Sequence, residues 1–227
     1  MPDDPRRWLQ LTVWLHVMTS VGWMTLALVL FALLVLARTA DVGTARAATA
    51  MAHHLDVVLL APLANASAST GLMLSLGTAW GLAQHRWVLA KFAITLAQLY
   101  LGIFVLSGAL PAAAESGEPT LALTVGTAAM AGAIALQAWL SVAKPGGRTR
   151  WARDRRTGRA VRLTVAAPWV FVVAVVAPLI DIAVGLAVGF PLPVLSLLGV
   201  GMAVEVRRMA VRRATTAATA ARPTPRT

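Results

Sequence analysis

Residues 8–37 read WLQLTVWLHVMTSVGWMTLALVLFALLVLA, thirty positions without one charged side chain. A helix needs about 20 mainly apolar residues to cross a bilayer, so this stretch is long enough with residues to spare. A soluble helix of that length would carry a charged outer face, and this one has none. A secretory signal offers an apolar stretch of only about 7–15 residues and ends in a small-residue cleavage site. The run is longer and lacks such a site, so it reads as a retained membrane helix.

Outward from it lie further apolar runs at 55–82, 87–110, 120–143 and 163–189, with a shorter one at 194–206. The predicted fold class is all-α, a multi-pass transmembrane helical bundle. Residues 1–143 form a four-helix membrane core (about 8–37, 55–82, 87–110 and 120–143). A basic cytoplasmic loop follows at 144–162, then a C-terminal membrane hairpin at 163–206 and a basic, disordered tail at 207–227. Composition agrees, with 58% of residues hydrophobic and only 13% charged, against about a quarter charged in a soluble domain. Residues 163–206 hold two tight helices if the chain turns at Phe190–Pro193, which favours six crossings. The alternative is five, with Val194–Val206 lying in the interface.

The formal charge of +11 is concentrated. Lys144, Arg148, Arg150, Arg153, Arg155, Arg156, Arg159 and Arg162 crowd one loop, and Arg207, Arg208, Arg212, Arg213, Arg222 and Arg226 crowd the tail. Together they are 14 of the 20 basic residues. Cytoplasmic loops collect lysine and arginine, so the N- and C-termini are expected inside and the loop 111–119, with Glu115 and Glu118, outside. The partner expected for these belts is the anionic lipid head layer. Nucleic acid is not expected, because the loop offers one tryptophan, Trp151, and no base-stacking pattern. A homo-oligomer or a redox partner stays open.

Scarce charge makes the intramembrane polar residues informative, because each is costly unless satisfied. His16 shares a helical face with Ser20, Trp23 and Ala27. It lies roughly 12 Å inside the cytoplasmic boundary, and Lys91 roughly 6 Å, counting along each helix. Thr95, Gln98 and Gly102 continue the Lys91 stripe, and Lys91 itself is within snorkelling reach of the surface. Ser67, Gly71 and Ser75 make a small-residue stripe on the second helix, suited to a packing seam or to the wall of a cavity. Pro62 and Pro178 are expected to kink their helices. Asp181 is a lone acid in the fifth run, to be protonated, paired or near the outer interface.

Zero cysteine excludes disulfides, thiolate metal sites, iron–sulfur clusters and covalently attached haem. The four histidines are His16, His53, His54 and His85. A b-type haem needs one or two axial ligands and no cysteine, and helical bundles supply them from facing helices. His16 is the best single metal ligand, with Lys91 or Arg86 available to porphyrin carboxylates. A bis-histidine pair with His53 or His54 is hard, since those sit at the outer end of the second helix. Copper(I) would favour thioether clusters, but the methionines are dispersed. Hydrolase, phosphate-loop and zincin motifs are absent.

Leu15–Trp23 (LHVMTSVGW) resembles the first-helix signature of the HemJ-like and copper-resistance-D-like (CopD) membrane proteins. Ala61-Pro62-Leu63, Ser69-Thr70-Gly71 and Trp80-Gly81 look like the second helix of that group, and Trp87–Lys91 like the start of its third. The similarity covers roughly residues 8–143 and is nearest to actinobacterial integral-membrane proteins of this type. It implies a bacterial plasma-membrane protein with a b-type haem, a haem-dependent oxidoreductase activity, and His16 and Lys91 at the important first- and third-helix positions. Copper-resistance-D-like relatives imply copper passage. The expectation is therefore a haem or redox pocket built on His16, Lys91, Ser20 and Trp23. The alternatives are a copper or small-solute transport component, and a cofactor-free accessory protein.

Overall fold

The computed structural model describes residues 5–152 and 165–220. Among the described residues six long helices make up the fold: α1 (Pro5–Thr39), α2 (Val42–Gly77), α3 (Arg86–Ser116), α4 (Leu121–Ala143), α5 (Pro168–Val188) and α6 (Val194–Ala220). Among the described residues there is no strand, only an isolated bridge between His85 and Arg148. The first five helices are long and apolar enough to cross a membrane. The chain is an all-α integral membrane protein.

Two helices are longer than their apolar runs suggest. α2 begins at Val42, not at Leu55, because Asp41 caps it: the carboxylate accepts the N–H of Gly43 and of Thr44 and the Thr44 hydroxyl. The alanines of this added segment pack Ala45 and Ala48 against Leu33 and Ala37 of α1. α3 runs through Pro111 to Ser116 and stops at Gly117, whose left-handed φ of 77° ends it. The loop expected at 111–119 thus shrinks to the turn after Ser116. Arg38 ties it to α1 by donating to the Pro119 carbonyl at 2.9 Å.

Both α2 and α3 contain one wide π turn, at Asp56–Leu60 and Gly102–Leu106. In each, the closing N–H reaches back five residues: Ala61 to the Asp56 carbonyl, Ser107 to the Gly102 carbonyl. The first turn lies directly before Pro62, which has no N–H to give the ladder. The expected kink is expressed there as a π turn.

α6 returns alongside α5. Asp181 of α5 accepts the N–H of Leu195 at 3.0 Å and of Ser196 at 2.7 Å, so it caps the start of α6 from the neighbouring helix. Further along, Gly199 lies against Val173, and Ala203 packs with Val170, Ala174 and Met73. The apolar residues 194–206 therefore run back along α5 and α2, carrying Arg207 and Arg208 toward the end where α5 begins. α6 is not itself counted among the apolar spans, since its second half is polar. Gly185 and Gly189 shape the turn between the two helices: Gly189 is left-handed (φ 76°), and the Gly185 carbonyl accepts the N–H of Gly189 and of Phe190.

The core sits where α1, α2 and α4 meet, with Trp23, Ala27, Ala64, Met130, Ala131 and Ile134 in mutual contact. Leu30, Leu34, Ala52, Leu110, Ala113 and Leu123 continue it toward the Asp41 end. The opposite end carries Arg6, Arg7, Arg86, Lys144, Arg148 and Arg150, and a tryptophan cluster. There Trp80 meets His85 and Trp87 edge-on, and the Lys144 ammonium lies 4.9 Å over the Trp80 ring. Residues 144–152 are sewn to 83–86 by the N–H of Arg86 to Gly147 and of Thr149 to Gln84. The basic stretch 153–162 and the tail from 221 lie outside the described residues.

Candidate functional site

His16 faces α2. Its Nδ1 lies 3.0 Å from the Ser67 carbonyl and 3.2 Å from the Thr70 hydroxyl. A carbonyl only accepts, so Nδ1 carries the proton and Nε2 is left with its lone pair. Nε2 makes no hydrogen bond among the described residues. The ring rests on Gly71, where a Cβ would come within 2.9 Å of the His16 Cε1. The small-residue stripe of α2 is thus the seat of this imidazole as well as a helix seam. Ser20 belongs to the same group: its hydroxyl donates to the His16 carbonyl at 2.6 Å and meets the Ser67 hydroxyl at 2.7 Å.

Lys91 is engaged elsewhere. Its ammonium donates to the Ser141 hydroxyl of α4 at 2.7 Å. This is the first rung of a ladder between α3 and α4. Ser141 donates to the Gln137 carbonyl, Thr95 donates to Gln137 Oε1, and Gln137 Nε2 donates to Gln98 Oε1. Gln98 Nε2 ends the ladder on the Met130 carbonyl, 3.1 Å away, and its sulfur. The stripe Lys91-Thr95-Gln98 is therefore one face, as its spacing predicts, and α4 covers it. No hydrogen bond joins Lys91 to His16 among the described residues.

Trp23 turns away from both. It packs in the core and borders a partly open cavity of about 320 Å³ lined by α1, α2, α3 and α4 and, at one edge, by Phe190, Pro191 and Pro193. The structure thus brings His16 and Ser20 together, and places Lys91 on α4 and Trp23 on the cavity. Neither His16 nor Lys91 lines that cavity.

The cavity is mostly apolar, with Leu30, Leu60, Leu106 and Leu110 among its walls. Two of its polar groups, Asp56 and Asn65 of α2, make no side-chain hydrogen bond or ion pair among the described residues. Both π turns line it, through Asp56, Val57 and Leu60 on one side and Gly102, Ile103 and Leu106 on the other. Asp56 and the π turns are absent from the sequence reading. One signal was there: Asp56 is the single acid in the second apolar run, as Asp181 is in the fifth. Position at the edge of that run hid it.

The remaining singled-out residues take structural places. Asp181 is buried and both its oxygens are used by the α6 cap. His85 Nδ1 is 2.8 Å from the Trp80 carbonyl and holds the basic-end loop. His54 is exposed, while His53 Nδ1 is buried without a hydrogen-bond partner one turn before Asp56. No group of three or more histidines, cysteines or acids able to hold a metal ion occurs among the described residues. Comparison with protein-family models, with curated proteins and with solved structures finds no match to this chain.

Proposed function

We propose that this protein is a multi-pass component of the bacterial plasma membrane with both termini cytoplasmic, and that His16 is the single axial ligand of a b-type haem or redox site in the four-helix core. The observation that carries the reading is the imidazole itself. Metal-bound histidines donate their second ring nitrogen to a carbonyl or carboxylate, which fixes the tautomer and aims the other nitrogen. His16 has that arrangement, with Nδ1 on the Ser67 carbonyl and Nε2 unbonded. The donor fits a group that would be held by one imidazole.

A haem held there would supply one-electron chemistry. The chain's own residues do the rest. Ser67 orients the ring, Gly71 gives it room, and the Ser20–Ser67 pair fixes the two helices at that height. Lys91 and Arg86 put positive charge in the same half of the bundle, suited to porphyrin carboxylates. The orientation rests on the charge asymmetry between the ends: the tryptophan-rich end is basic, and the other carries Arg38 and Arg46 against Asp41, Glu115 and Glu118.

The test is the visible spectrum of detergent-purified protein from haem-replete cells. A Soret band that is lost in His16→Ala and kept in Lys91→Ala is the expected result. A folded, colourless protein overturns the haem reading. A reporter fused after Arg213 should read cytoplasmic, and an external reading overturns the orientation.

A further inference from the structure

The cavity near Asp56 is separate from the His16 site and independent of what that site holds. Its lining positions on α2 are 56, 57, 60, 61, 64 and 65, and on α3 include 98, 102, 106 and 110. These step by four. An α-helix drifts by roughly 40° every four residues, so a straight helix would carry such a row off the cavity. Each π turn absorbs one extra residue and resets the drift. Asp56 and Asn65, nine apart, would face roughly opposite ways on an uninterrupted helix. The π turn between them puts both on one wall. Two helices have thus been rewound to face a single space, and π turns concentrate at functional sites.

That space is apolar except for a few groups, and most of these are spent. Gln98 is used by Gln137 and Met130, and the Thr127 hydroxyl by the Thr124 carbonyl. What remains open is the Asp56 carboxyl, the Asn65 amide and, at the exposed rim, the Ser107 hydroxyl. His53 stands one turn earlier on the same helix and makes no ion pair with Asp56. A carboxylate facing an apolar cavity without a cation is costly, and a ligand that brings the cation removes that cost. A volume of about 320 Å³ lies at the small end of ligand sites, which run from roughly 300 to 1,000 Å³.

We propose that this cavity binds a lipophilic amine, its ammonium paired with Asp56 and hydrogen-bonded by Asn65, and its apolar body between the two π turns. The carboxylate selects positive charge, and the leucine walls select molecules that partition into membranes.

Monodansylcadaverine carries a primary amine that is charged at neutral pH and a fluorophore that brightens in apolar surroundings. Its N-acetyl derivative is neutral and otherwise alike. The full-length protein in detergent should bind the amine saturably and the acetylated form roughly tenfold more weakly or worse. Asp56→Asn, which keeps the side-chain shape, should bring amine binding down to the level of the acetylated form. Ala61→Leu, which keeps Asp56 and fills the cavity, should weaken both probes. Thermal melts of each variant establish that it is folded. Equal binding of the two probes, undiminished amine binding in folded Asp56→Asn, or no saturable binding by the parent protein would each overturn the proposal. None of these readings depends on haem.

Discussion

Around His16, polar side chains are answered by other parts of the protein. Nδ1 has the Ser67 carbonyl, Ser20 has Ser67, Thr70 has the Ala66 carbonyl, and Lys91 has Ser141. Around Asp56, nearer the other end of the same helices, two polar groups open on a cavity and have no such answer. Polar groups in a bilayer serve as glue when helices can close on them. Where the helices are held apart, the same chemistry is left for something that enters. The His16 region is a seam that leaves one ring nitrogen over. The Asp56 region is a space.

The sharpest break in that comparison comes from the two intramembrane acids. Asp181 and Asp56 have the same side chain, but the first is filled by two N–H groups of α6 and the second by none. Asp181→Ala leaves both donors unpaired, at about 1–3 kcal/mol for the buried Ser196 N–H and less for the part-exposed Leu195 N–H. We expect a large loss of stability in detergent denaturation, with faster amide exchange at Leu195 and Ser196. Asp56→Ala should leave stability unchanged or raise it, because it removes an unpartnered acid. If both variants lose stability equally, the contrast between a structural and an open carboxylate fails.

Next in size is Gly71→Ala. The added Cβ would sit 2.9 Å from the His16 Cε1, closer than carbon atoms rest, so the ring or the helix must move. Overpacking of this kind costs about 1–3 kcal/mol. Gly102→Ala is the control in the open half: its Cβ would meet nothing nearer than the Met130 Cε at 3.9 Å. A lower melting temperature for Gly71→Ala and little change for Gly102→Ala would sharpen the difference between seam and space. Equal effects would erase it.

Apolar run length made the spans of α1, α4 and α5 legible, because a bilayer imposes a minimum on each. The faces were legible too: Lys91-Thr95-Gln98 and His16-Ser20 are each one stripe, as helical spacing requires. What those faces meet was not. Spacing cannot say that α4 covers Lys91 while α2 covers His16, so two residues in the same half of the bundle were joined in one expected pocket. The π turns were illegible for a different reason. They reflect a register fitted between helices, and the nearest local cue, Pro62, equally well predicts a kink. The start of α2 was missed because alanine, threonine and histidine dilute the hydropathy of 42–54, although Asp41 followed by Thr44 is a capping pattern.

The smallest expected effect belongs to that cap, which adds an exposed acid to the comparison. Asp41 is held below the ordinary carboxylate value of 3.8, first by the Thr44 hydroxyl and then by the N–H groups of Thr44 and Gly43. A group whose folded pKa is depressed contributes stability that is present above its unfolded pKa. That contribution is lost as pH falls through the folded value. Acidification below about pH 3.8 should therefore loosen the first turn of α2, read as faster amide exchange at Gly43 and Thr44. Asp41→Asn keeps one acceptor oxygen and cannot titrate, so its exchange at those amides should be nearly flat over the same range. Exchange at Gly43 and Thr44 that is equally flat in the parent protein, or equally steep in Asp41→Asn, would mean that the Asp41 carboxylate does not hold the turn.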